Sequence, residues 1–173
     1  MERAGAFTAV PGAGMIAIGV TALVAAAVAG QTENGPGWLA LWVAEGLVAA
    51  LISVVSIVRK SRRLGLPLAS GPVRKFALAF LPPFVAGAVL TWALASHGLG
   101  SFLPGLWLLL YGTAVTAAGA LSVRIVPVMG MTFMATGVAA LIAAPAHGDA
   151  LMAAGFGGIH VAFGVVIARR YGG

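Results

Sequence analysis

The chain has 173 residues, 61% of them hydrophobic and 8% charged, with a mean hydropathy of +1.05. A soluble domain carries about 25% charged residues, so this chain has too little polar surface to face water and reads as a single integral membrane domain. Its formal charge of +6 comes without a basic stripe interleaved with aromatics, which argues against a nucleic-acid partner, and the lack of cysteine excludes disulfides, thiolate metal sites and cysteine nucleophiles.

Six apolar runs are each about the ~20 residues that a membrane-crossing helix needs. The first is predicted over 6–29. Pro11, Gly12 and Gly14 near its start loosen the first turn, and Ala27-Val28-Ala29 resembles a small-residue cleavage site. The run is longer than a usual signal-peptide core, and Glu2 weakens the basic leader, so a retained span is expected. Gln31–Gly37 is turn chemistry, with Asn-Gly followed by Pro-Gly. A second span, 38–58, runs into Arg59–Lys75, the chain's one long polar segment, which holds Arg59, Lys60, Arg62, Arg63, Arg74 and Lys75. Gly65, Pro67 and Gly71-Pro72 predict that this segment is irregular or broken into short helices.

The third span, 76–96, contains Pro82-Pro83, where a kink is expected because proline lacks an N–H and clashes with the preceding turn. The fourth, 102–123, follows Ser101 as N-cap and has Pro104 in its first turn. Arg124 marks a tight turn into the fifth span, 125–144. Ala146–Asp149 forms the last outer turn, and the sixth span, 150–168, stops at Arg169-Arg170.

Lys and Arg beside spans are retained on the cytoplasmic side. With six spans, all ten basic residues (Arg3, the six of the central segment, Arg124, Arg169 and Arg170) fall on one side. The other side holds Glu33, His97, His147 and Asp149. The expected fold is therefore an all-α, six-helix membrane bundle with both termini cytoplasmic, and the basic residues are expected to meet lipid headgroups. Pro36–Trp42 resembles Pro104–Leu110, and spans two, four and six each end at an arginine, which suggests three repeated helical hairpins.

Glu45 is the sharpest chemical feature, lying about mid-membrane in span two. An ionised carboxylate in hydrocarbon costs several kcal/mol, so it should face the bundle. Trp42, Trp38 and Ala49 share its helix face, and a tryptophan indole N–H is one candidate partner. Two readings stand: a proton-carrying or cation-binding carboxylate, or a structural carboxyl bonded to a backbone carbonyl or a Ser/Thr hydroxyl. His160, in span six, has Gly157 and Gly164 on its face, so a neighbouring helix can come close to the imidazole. A Glu45–His160 proton relay is the functional reading. Counted back from Arg59 and Arg169, the two groups differ in depth by about 8 Å, so contact needs tilt or a bridging water. A histidine satisfied by a neighbouring carbonyl is the structural reading.

The outer His97, His147, Glu33 and Asp149 have no recognised metal spacing. Met129, Met131 and Met134 read as packing rather than as a Cu(I) site. Ala154, Gly158 and Ala162 form a small-residue face on span six, and Thr113, Thr116, Thr132 and Thr136 place hydroxyls on spans four and five; these suit packing within the bundle or between protomers. No catalytic motif appears, and no cofactor is expected.

The blocks SGPVRKFALAFLPP, LPGLWLLLYGT, RIVPVMGM and AGFGGIHVAFGVVIARRYGG resemble a family of small bacterial multi-pass membrane proteins that carries no assigned activity. The resemblance implies a bacterial inner-membrane location and transfers no site residue. The expected function is a small transporter or transporter subunit, with Glu45 as its carboxylate and His160, Trp42 and Thr113 as associated intramembrane polar groups. The alternative is a membrane scaffold that contacts another protein, or a second copy, through its helix faces.

Overall fold

The computed structural model describes residues 10–31, 35–65, 71–143 and 145–171. These form six helices long and apolar enough to cross a membrane, and no strand is present among them. The first is α1 (Gly12–Ala29), followed by α2 (Pro36–Arg63) and α3 (Gly71–Ser96). After a 3-10 turn at Gly100–Phe102 come α4 (Leu103–Gly119) and α5 (Ile125–Ile142). A second 3-10 turn, Pro145–His147, leads into the composite sixth helix, α6. It is α-helical over Gly148–Met152, π-helical over Ala153–Ile159 and α-helical again over His160–Tyr171.

The predicted polar segment is shorter than its sequence suggests. Four of its six basic residues continue α2 as a last helical turn, and Arg74 and Lys75 lie in the first turns of α3. Cations suit the carbonyl end of α2, where the helix dipole is negative. Gly65, at φ 64°, ends α2, and Gly98, at φ 71°, ends α3; such left-handed residues let the chain turn back on the last carbonyls. The third helix runs unbroken through Pro82-Pro83. The fourth stops at Gly119, four residues before the predicted end, and Ala120–Arg124 makes the turn.

Two helix pairs have the most extensive contact, α4 with α5 and α1 with α6. Both are joined through glycines spaced seven apart, which return to one helix face every two turns. On α4 these are Gly105, Gly112 and Gly119, and on α5 they are Gly130 and Gly137. A Cβ on Gly112 would lie 2.6 Å from the Gly130 carbonyl oxygen, and one on Gly130 would lie 2.3 Å from Thr116 Oγ1. The α1–α6 pair repeats the device with Gly12 and Gly19 against Gly157 and Gly164; a Cβ on Gly12 would lie 2.3 Å from the Ala168 nitrogen. In lipid, helices gain little by burying apolar surface against each other, so close backbone approach supplies the packing. Both pairs lie across the hairpins suggested by the sequence repeat, not within them.

The remaining helices flank this four-helix core, α2 against α1 and α3 against α4. Half of the apolar window of α1 and of α4 is buried, against 6% of that of α2 and of α3.

Candidate functional site

Glu45 is half-buried on α2 and faces α1. Its partner is Thr21, the one hydroxyl residue of α1, whose Oγ1 lies 2.8 Å from Glu45 Oε1. The same Oγ1 lies 2.9 Å from the Ile18 carbonyl oxygen. One hydroxyl proton cannot serve both acceptors fully, so the pair has room for one more proton. The expected indole partner is corrected here. Trp42 is three residues from Glu45, which puts it about 60° round the helix. There it turns toward Phe156 of α6, at a ring separation of 6.5 Å. Its Nε1 is buried without a hydrogen-bond partner. Trp38 Nε1 donates instead to Asp149 Oδ1 at 2.7 Å, at the end of the bundle away from the basic residues.

His160 is 2% exposed. Its Nδ1 lies 2.8 Å from the Phe156 carbonyl oxygen, which only accepts, so Nδ1 carries a hydrogen. In the neutral ring Nε2 then accepts from Tyr111 Oη, 2.6 Å away on α4. Phe133 and Phe156 pack on both members of this pair at centroid separations of 4.8 to 6.4 Å. Gly157 and Gly164 do admit a close helix, as their spacing predicts. That helix is α1, about 50° to one side of the imidazole, and the imidazole's partner comes from α4.

Glu45 and His160 are therefore closed by different neighbours, and no hydrogen bond joins them. Thr113 is corrected as an intramembrane site residue: it is exposed on the outer face of α4, and its hydroxyl donates to the Leu109 carbonyl at 2.9 Å. Thr116 faces α5 from the same helix but also donates to its own backbone, at Gly112 O. Thr132 and Thr136 likewise return their hydroxyls to carbonyls of α5.

Among the six basic residues of the central segment, Lys60 is corrected as a headgroup contact. It is 7% exposed, and its Nζ donates to Val10 O at 2.9 Å and to Tyr171 O at 3.1 Å. It clasps the start of α1 and the end of α6 to the end of α2. Arg59, Arg62, Arg63, Arg74 and Lys75 are exposed and free to meet headgroups.

No three His, Asp or Glu side chains gather among the described residues. His97 bonds its own helix at Ala93 O, and Asp149 takes the Trp38 N–H; Glu33 lies outside the described residues. The three methionines point three ways: Met129 is fully buried, Met131 is 54% exposed, and Met134 packs on Gly112. The face of Ala154, Gly158 and Ala162 is exposed on α6.

Reading residues singly missed Thr21 and Tyr111. The signals were present: Thr21 is the lone hydroxyl of α1, and Tyr111 is the lone tyrosine of α4. No protein-family model, curated protein or solved structure matches this chain. The family resemblance rests on its residue blocks alone.

Proposed function

We propose that this chain is a scaffold or accessory protein of the bacterial inner membrane that acts through helix contacts and does not itself transport. The observation that supports this most is that Glu45 and His160 are bonded to separate partners. Glu45 meets Thr21, and His160 meets Tyr111 and its own backbone. A proton relay needs groups that exchange partners, and these face different helices. The exposed small face of α6 adds to the reading, because small residues let another helix approach closely.

A second reading, a transporter or transporter subunit moving a proton or small cation, is favoured by one observation. Glu45 is only half-buried, and its pairing with Thr21 has room for one proton.

Reconstitution into vesicles containing a pH-sensitive dye separates the two. The scaffold reading expects no protein-dependent proton flux under an imposed gradient, with the wild type and Glu45→Gln alike. Flux that the wild type supports and Glu45→Gln abolishes, with helix content unchanged, would overturn it in favour of transport.

A further inference from the structure

We propose that the α1–α2 trough at the basic end holds one acyl chain of an anionic phospholipid, with its phosphate on Arg59. The two helices are pinned at two heights. Near the basic end Gly14 meets Ser56 so closely that a Cβ on the glycine would lie 2.5 Å from Ser56 Oγ. Farther along, Thr21 holds Glu45. Beside these pins the small Ala13 and Ala17 leave the α1 wall low, and Leu51, Ile52 and Val55 form the α2 wall. The result is an open trough of about 380 Å³ with Arg59 at one end.

Its shape selects the occupant. From Leu51 to Arg59 is eight residues, or about 12 Å of helical rise, most of the depth of one leaflet in a hydrocarbon core about 30 Å thick. A single acyl chain is thin enough to lie in it, and apolar walls suit one. The walls are open to the bilayer, with Ala13, Ala17, Leu51, Val55 and Arg59 all exposed.

Charge selects the headgroup. The described carboxylates are Glu45 and Asp149, held by Thr21 and Trp38 away from Arg59. Arg59 therefore takes its counter-ion from outside the described chain, and a guanidinium fork matches phosphate oxygens. Lys60 is occupied with Val10 and Tyr171, so Arg59 is the basic residue that closes the trough.

The test is native mass spectrometry of the full chain in detergent, given equal amounts of dioleoyl phosphatidylglycerol and dioleoyl phosphatidylcholine. The expected result is one retained lipid per chain, with the anionic lipid favoured about fivefold, the gain ordinarily made by one basic residue at an anionic surface. Arg59→Gln should remove the preference and keep the retention. Ala17→Phe, and Val55→Trp from the opposite wall, should lower retention of both lipids. Arg170→Gln, on a different helix end, should leave the wild-type pattern. Equal retention of the two lipids by the wild type would overturn the proposal. So would an equal loss of preference in Arg59→Gln and Arg170→Gln, or full retention in both trough-filling variants.

Discussion

The four core helices and the two flanking helices are held by different physics. The core pairs, α4–α5 and α1–α6, meet backbone to backbone through glycines seven residues apart. The flanking helices are held by side-chain pins. Trp38 to Asp149, Glu45 to Thr21, and Lys60 to two carbonyls hold α2 at one end, the middle and the other end. Trp107 Nε1 donates to Thr91 Oγ1 at 2.8 Å, and Phe80 and Phe84 pack on Tyr111, to hold α3. Glycine contacts lock many atoms at once and tolerate no added side chain, whereas a pin holds one point and leaves the rest of its helix to lipid. The polar residues that attract a functional reading lie mostly among the pins.

This contrast breaks most visibly at Gly130. Gly130→Leu must push its side chain into Thr116, so it should cost about 3 kcal/mol, at the upper end of ordinary overpacking. Helix loss during titration with a denaturing detergent reads this directly. Tyr111→Phe should come next. It leaves the buried Nε2 of His160 without a donor, at about 2 kcal/mol in the same assay. Lys60→Met removes a clasp at the bundle end and takes the ammonium donor from the Val10 and Tyr171 carbonyls, so a loss of about 1 kcal/mol is expected. Leu47, 68% exposed on α2, faces lipid, and Leu47→Ala should stay within about 0.5 kcal/mol of wild type. A large loss at Leu47 would mean that α2 packs against something beyond this chain.

The six spans and their alternation were legible because length, hydropathy and charge placement are local properties of the sequence. The start of α1 and the ends of α2 and α6 do meet at Lys60, as an even number of crossings requires. Partner choice was less legible. Glu45 and Trp42 share a broad helix face, yet the 60° or so between them sends one to α1 and the other to α6. His160 and its flanking glycines divide in the same way between α4 and α1. The polar segment after span two shortened because nothing in Arg59–Arg63 breaks a helix until Gly65. The glycine heptads were visible in the sequence, but a repeat on one helix shows its partner only when the matching repeat on another is set against it.

The central claim is that Glu45 and His160 belong to separate hydrogen-bonded pairs. Nitrogen solid-state NMR of the His160 ring in lipid, in the wild type and in Glu45→Gln, tests it most directly. The account predicts one neutral ring with its hydrogen on Nδ1 and the same signals in both proteins. A second ring species, or a shift of either ring nitrogen on substituting Glu45, would contradict it and join the two groups in one site.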